Sequence, residues 1–555
     1  MKKTAIGISD FNTVISENFY FVDKTLFIKD VIDGAQTLLY PRPRRFGKTL
    51  NLSMLNYFYT VKQDYAPLFD GLAIAQEPEY MKKQGKHPVI FISFKDVKNS
   101  TFEQCIESMS ELIRLIYTEH SYLLNSPLLC EMDKVIYKSI MMKSASITDL
   151  QTSIKNLTQY LHMYHEEKVV ILIDEYDMPI QAAYMYDYYD PLILFMRSFL
   201  SGCLKDNLYL EKAVLTGILR VAKESIFSGL NNILVASMII DKSADKFGFT
   251  EAEVEKCLSD FATEDSLQEV KDWYDGYNFG KNTEIYNPWS ILNYIYHKEL
   301  RPYWVKTSGN ELIKILLKDA DENVKKELET LIEGGSLRKA IDDSIIYSEV
   351  DKSDDALWSF LLMCGYLRFD NIEYTDENCV ADIRIPNKEV FYLFRTEIVR
   401  SWFSTLSTSS SLNRILTNLT TGDINEFRYY FIDFCQNAFS YFDVGGDNPE
   451  KFYHGFVLGL IASLRDSYTI QSNRESGFGR YDIMLIPHDI SMRGIIFEFK
   501  KINRLAKENP DTAMENAKKQ LVEKDYAAQL RQRGVETIVH IAAVFEKKQV
   551  WVEIF

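Results

Sequence analysis

The chain has 555 residues, 46% of them apolar, so it is too long for one domain and able to bury several cores. A net charge of −16 excludes a uniformly basic nucleic-acid binder, and any contact with nucleic acid has to be local. Seven cysteines without C-x-x-C spacing argue for reduced thiols in a cytoplasmic setting and against a zinc site. Met1-Lys2-Lys3 begins like a signal peptide, but Ser9, Asp10, Asn12 and Thr13 interrupt the apolar stretch that would have to follow. No run approaches the about 18 apolar residues of a membrane span.

In chain order, residues 26–33 read as a short helix ended by Gly34, and residues 37–39 as a strand. The loop YPRPRRFGKTL at 40–50 follows, and NLSMLNYFYT then reads as an amphipathic helix. Gly47-Lys48-Thr49 is the end of a phosphate-binding loop: Gly47 lets the backbone approach a phosphate, Lys48 places an ammonium on the outer phosphates, and Thr49 offers a hydroxyl to Mg²⁺. The helix that starts there aims free N–H groups at the anion. The usual pattern has a second Gly five positions before Gly47, where this chain has Arg42. Arg does not adopt positive φ cheaply, so the loop has to be shaped differently, with Pro41 and Pro43 fixing φ. Arg42, Arg44 and Arg45 add three cations to it; a basic surface turn is the alternative reading.

Residues 88–94 are a second strand, and helices follow over about 102–119 and 147–165. Residues 169–173, VVILI, are mostly β-branched, as in a strand buried on both faces, and Asp174 and Glu175 come at its carboxyl end. In a doubly wound sheet that end faces the ligand. An Asp there can hold Mg²⁺ through a water, and the next Glu can polarise an attacking water. A further strand over 213–215 leads to Thr216, placed to sense a γ-phosphate, and to Arg220, a candidate charge finger or simply a loop cation. An apolar strand follows near 233–240.

VDKT at 22–25, RPRRFGKTL at 42–50, FISFKDVK at 91–98, LIDEYD at 172–177 and TGILRVAKESIFSGLNN at 216–232 resemble the bacterial AAA-ATPase-like family. The resemblance covers about the first 300 residues, and in that family RPRRFGKT is the usual form of the loop. It implies that Arg44, Arg45, Phe46, Gly47, Lys48, Thr49 and Leu50 bind a nucleotide together with Asp174 and Arg220. ATP and Mg²⁺ are the implied cofactors, with Thr49 and Asp174 at the metal. The family often adds a C-terminal PD-(D/E)xK nuclease-like domain.

From residue 250 to about 300 the pattern turns helical and polar, with Gly276 and Gly280 in a turn and Pro288 suited to a helix start. Residues 310–350 read as charged helix broken by Glu-Gly-Gly, and residues 355–400 as helix, strand, helix. The best linker candidate is TLSTSSSL at 405–412.

Beyond it, a helix over about 449–464 precedes YTIQSNRES, a Gly-Phe-Gly turn and RYDIMLIP, which make a hairpin. GIIFEFKK at 494–501 is another strand, 512–533 a helix, and 537–554 a strand pair. Period-two alternation puts Glu498 and Lys500 on one face and Phe497 and Phe499 on the other. Asp482 precedes Ile483 and Leu485 on the neighbouring strand. Two carboxylates on adjacent strands can bind one Mg²⁺, and a Lys beside them can orient or deprotonate water, which is the chemistry of phosphodiester hydrolysis. Asp…Glu-x-Lys on strands resembles the PD-(D/E)xK nuclease core, with Tyr481-Asp482 in place of Pro-Asp. Glu475 is a candidate third carboxylate, and Gln520 and Lys524 lie one helical turn apart. A metal-free ion pair between Asp482 and Lys500 is the alternative. Lys500, Lys501, Arg504, Lys507, Lys518, Lys519, Lys524, Arg531 and Arg533 form a basic stretch able to meet a phosphate backbone.

The expected architecture is α/β: a P-loop ATPase with a parallel sheet and flanking helices over 1–240, a helical lid over 241–310, a helical or winged-helix-like connector over 311–409, and an α/β restriction-endonuclease-like domain over 410–555. The expected activity is an ATP-dependent or ATP-regulated, Mg²⁺-dependent nuclease acting on nucleic acid, DNA before RNA, with Glu175, Asp482, Glu498 and Lys500 catalytic and Glu475 at the second metal site. A homo-oligomer is compatible with it. Two alternatives stay open: a nucleotide-controlled signalling or scaffold protein, and a DNA-binding ATPase with an inactive nuclease fold.

Overall fold

A computed structural model describes residues 2–220, 233–240, 242–263, 265–280, 283–305, 311–318, 320–332, 334–374, 379–394, 409–438, 467–472, 482–502, 508–523, 525–546 and 549–555, and isolated positions between 457 and 480. The chain packs as two units, Met1–Leu316 with Asp321–Phe391, and Leu317–Ala320 with Tyr392–Phe555. The lid and most of the connector therefore belong to the compact unit that begins at the N-terminus.

At the centre of the first unit are five parallel strands: β1 (Thr37–Pro41), β2 (Val89–Ser93), β3 (Val169–Asp174), β4 (Leu210–Gly217) and β5 (Ile233–Val235), in the order β2-β3-β4-β1-β5. Every residue of β1 and β3 is buried, as their unbroken apolar runs require of strands covered on both faces. Helix α1 (Lys48–Tyr59) follows β1, α2 (Phe102–Glu119) and α3 (Ile147–His165) lie between β2 and β3, and α4 (Met178–Met185) and α5 (Tyr189–Leu204) between β3 and β4. Thr101 caps α2, and Ser146 with Asp149 closes a capping box on α3. Because all five strands are parallel, Pro41, Ser93, Asp174 and Gly217 end at one edge. The register pairs Tyr40 with Thr216 and Ser93 with Asp174, so β4 separates the phosphate-loop strand from the Asp-Glu strand.

The region expected to be a helical lid also holds a sheet. Strands β6 (Phe249–Thr250), β7 (Tyr277–Phe279) and β8 (Thr283–Tyr286) pair antiparallel in the order β6-β8-β7, between α6 (Glu251–Asp260), α7 (Leu267–Tyr274) and α8 (Pro288–His297). Strands of two to four residues carry too little alternation to read from sequence. Pro288 does open α8, and Asn287 caps it. The Glu-Gly-Gly break is followed not by helix but by β9 (Leu337–Ile341), the edge of an antiparallel sheet with β10 (Arg368–Tyr374) and β11 (Cys379–Arg384) in the order β9-β11-β10; α9 (Asp354–Met363) lies between β9 and β10.

In the second unit, α10 (Ser409–Thr420) begins inside the expected linker, whose residues before 409 lie outside the described residues. After α11 (Ile424–Ala438) comes a mixed sheet of β12 (Tyr468–Ser472), β13 (Ile483–Pro487), β14 (Gly494–Lys501), β15 (Ile538–Glu546) and β16 (Gln549–Ile554), in chain order, with only β14 and β15 parallel. The hairpin and the terminal strand pair stand as expected, Glu475 pairing with Arg480 across the glycine turn. The helix expected over about 449–464 falls largely outside the described residues. One face of the sheet buries Ile483, Leu485, Phe497 and Phe499 with Phe427 and Phe431 of α11. The other buries Met484, Ile496 and Val544 under α12 (Pro510–Glu523). The 512–533 helix is in fact two: Asp525 takes positive φ, and α13 (Ala528–Gln532) starts anew. Among the described residues no helix is long and apolar enough to cross a membrane, and all seven cysteines are free.

Candidate functional site

The loop between β1 and α1 is held from below. Phe46 is fully buried, its ring centroid 5.0 Å from that of Tyr277 and 5.4 Å from that of Phe279, and its carbonyl accepts from the Gly248 N–H. The ring of Phe46 anchors the loop. Positive φ falls at Arg45 (69°) and Gly47 (82°), not at Arg42. For Arg45 that conformation costs on the order of 1 kcal/mol.

Arg42 corrects the expectation of a third loop cation. Its side chain is fully buried and donates to the carbonyls of Pro41 (2.8 Å) and Ala236 (2.6 Å), with the guanidinium over Phe279 and Phe247. Desolvation pulls its pKa down to about 10. It ties β1 to the residue after β5 and adds no charge to the loop surface. Arg44 donates to Gln181 of α4 at 2.8 Å, and the Arg45 guanidinium lies 4.4 Å over Trp289 of α8.

Above the loop lies a cavity of about 660 Å³, lined by Arg44 through Asn51, by Glu175 and by segments of the N-terminus, α4 and the lid. The Lys48 ammonium is buried and donates to the carbonyls of Arg42 and Pro43, 2.9 Å each. Burial lowers its pKa, against the attraction of Glu175, Asp177 and Asp174. Asp174 is fully buried between two hydroxyls: Thr49 donates to one carboxylate oxygen and Thr216 to the other, both at 2.7 Å. The structure thus joins Thr49 and Asp174 across 125 residues. A hydroxyl and a carboxylate side by side, next to a lysine and a helix N-terminus, are the oxygen donors that Mg²⁺ and a polyphosphate require, so these residues fit both.

Glu175 has φ of 50° and lines the cavity half-buried, its pKa raised by desolvation and held back by Lys48. Arg220 is not among the lining residues; its guanidinium is 4.0 Å from Asp343, which also accepts from Ser237. The structure does not bring Arg220 to the loop. Sequence reasoning also missed Asp177, which accepts the N–H groups of Ile218 (2.8 Å) and Leu219 (3.0 Å) and so locks the end of β3 to the end of β4. A Cβ at Gly217 would lie 2.6 Å from Asp177 Oδ1 and 2.7 Å from the Tyr176 ring, so only glycine fits beside that lock. The recognisable signal was LIDEYD itself, whose last Asp lies three residues past the metal-type Asp. Elsewhere in this unit Glu251, Asp275 and Glu284 converge, but the Lys271 ammonium, 2.6 Å from Glu251 and 3.2 Å from Glu284, fills the cluster.

In the second unit the register of β13 and β14 pairs Ile483 with Phe497, which sets Asp482 opposite Glu498 on the α12 face. Asp482 accepts the Phe499 N–H at 2.7 Å. Glu498 is buried, and its Oε1 lies 3.3 Å from Lys500 Nζ. Gln520 points to the same place: its amide donates to the Tyr526 hydroxyl at 3.2 Å. Tyr526 is fully buried, and burial first, then the charges of Glu498 and Asp482, raise its pKa. Tyr526 lies in the break between α12 and α13, directly after Asp525. Two opposed carboxylates with a lysine fit a divalent cation by donor type. The Glu475 side chain and Lys524 lie outside the described residues. The basic stretch is less cationic than its sequence, because Lys518 pairs with Glu553, Lys519 with Glu523 and Arg531 with Asp525.

Fold and sites define an α/β protein with a phosphate-loop module and a nuclease-fold module. Residues 5–227 match the family model described as "Predicted AAA-ATPase", and residues 448–554 match that of the PD-(D/E)XK nuclease superfamily. The chain carries an AAA-ATPase-like domain and, at its C-terminal side, a PD-(D/E)XK nuclease superfamily domain, as the motif resemblances implied. Along nearly its whole length it is also similar to a protein of Azotobacter chroococcum mcd 1 described as "Uncharacterized protein in vnfD 5'region", 25% identical over 550 residues, which cover 96% of this chain and 94% of that one.

Proposed function

We propose that the first unit binds ATP with Mg²⁺ and hydrolyses it, and that the second cleaves the phosphodiester backbone of nucleic acid, DNA by preference, under the control of the first. The observation that carries the nucleotide reading is Asp174 held between Thr216 and Thr49, the latter lining a cavity together with Lys48 and Glu175. Thr49 and Asp174 would hold Mg²⁺, which would supply charge neutralisation to the phosphates. Lys48 adds a second positive charge, and Glu175, beside it, orients the attacking water. Ile8, Val22, Phe249 and Leu292 give the cavity an apolar wall suited to a base.

In the second unit, Asp482 and Glu498 would hold the divalent cation, which supplies Lewis acidity at the scissile phosphate. Lys500 orients water and offsets the charge that develops on the phosphorane, while Tyr526 and Gln520 fix the Glu498 side of the site. The test is incubation of the full chain with supercoiled plasmid and Mg²⁺, with and without ATP. Mg²⁺-dependent nicking that Asp482→Ala abolishes is expected. A plasmid left intact under all conditions, by protein that melts cooperatively, refutes the nuclease half.

A further inference from the structure

The cavity above the phosphate loop is strongly basic for a chain of net charge −16. Most of its cations are engaged. Lys24 is held by Glu253 at 2.6 Å, Lys246 by Asp245 at 2.7 Å, Arg44 by Gln181, Arg45 by the Trp289 ring and Lys48 by loop carbonyls. Lys95 and Lys98 differ. Both line the cavity, both are exposed, and among the described residues neither ammonium has an ion-pair or hydrogen-bond partner.

Their placement is fixed by the sheet. They follow β2, the strand beside β3, and the Phe94 N–H donates to the Asp174 carbonyl at 3.0 Å. Phe94 and Val97 are buried, and a turn closed by the Val97 N–H on the Phe94 carbonyl pins the segment between them. Lys95 and Lys98 thus line the same cavity as Lys48, Thr49 and Glu175. Of the apolar wall, Phe249 and Leu292 belong to the lid and Ile8 and Val22 to the N-terminal segment.

We propose that Lys95 and Lys98 are cis-acting cations that contact the terminal phosphate of a bound nucleoside triphosphate, the place left open by the engagement of Arg220 with Asp343. The proposal rests on the nucleotide-binding reading of the same cavity. Two charge-assisted contacts to a group that ADP lacks give the protein a preference for ATP over ADP. The experiment is calorimetric titration of the full chain with Mg–ATP and Mg–ADP, for wild type, Lys95→Ala/Lys98→Ala and Lys95→Arg/Lys98→Arg. The alanine pair is expected to bind ATP roughly tenfold more weakly or worse, to hold ADP within about twofold, and to melt like wild type; the arginine pair is expected to keep the ATP preference. An unchanged ATP-to-ADP ratio in the alanine pair overturns this role while leaving nucleotide binding intact. A wild-type protein that binds neither nucleotide overturns the nucleotide reading itself.

Discussion

Thr216→Val removes one oxygen from the heart of the first site at almost constant shape. In the wild type the Thr216 hydroxyl donates to Asp174 Oδ1 at 2.7 Å, and both residues are fully buried. Valine leaves that carboxylate oxygen without its donor in a place water does not reach. A hydrogen bond to a charged group contributes about 1.5–3 kcal/mol, so the nucleotide-free unit loses about that much stability, read as a lower denaturant midpoint. The same loss frees Asp174 to rotate away from Thr49, so Mg²⁺-dependent ATP affinity falls by roughly ten- to a hundredfold while metal-free ATP affinity holds. Denaturant titration and calorimetry with and without Mg²⁺ measure the two effects. A variant as stable as wild type, with the same Mg²⁺ dependence, would show that Thr216 does not position Asp174, and the metal reading of this pair would fail with it.

Glu175→Gln keeps the cavity and should bind Mg–ATP but turn it over at least about a hundredfold more slowly; equal phosphate release by both proteins would remove Glu175 from the reaction. Asp482→Ala should lose Mn²⁺ binding and plasmid cleavage together, whereas Lys500→Ala should keep Mn²⁺ and lose rate. If wild type binds no Mn²⁺ and Asp482→Ala is only less stable, the carboxylates are a structural ion cluster. Glu389 tests the packing of lid on connector: it is buried, accepts from Ser290 Oγ at 2.7 Å and the Trp304 N–H at 2.6 Å, and desolvation raises its pKa to about 7 from 4.5. Its neutral form is the favoured one. The stability it contributes is therefore complete below the unfolded value and is lost as pH rises through about 7, in total on the order of 3 kcal/mol. Glu389→Gln should flatten the melting profile between pH 5 and 8, and parallel profiles would refute the shift.

Much of both sites was legible in the chain because it lies within single elements. Gly47-Lys48-Thr49 sits at one strand-to-helix turn, Asp174 and Glu175 end one buried apolar run, and Glu498 and Lys500 share a face because strand side chains alternate. Periodicity and spacing act along the backbone, so those features survive in one dimension. What the tertiary structure alone decided is which distant residues meet. Strand order put β4 between the two halves of the first site, so that Thr216 and Thr49 share Asp174 and Asp177 locks Ile218 and Leu219. Burial turned Arg42 from a loop cation into a core tie, and an ion pair drew Arg220 toward Asp343. A break after α12 placed the Tyr526 hydroxyl against the Gln520 amide. Each of these depends on side-chain direction and on the approach of segments far apart in sequence, which are set by packing across the core and leave no mark on local composition.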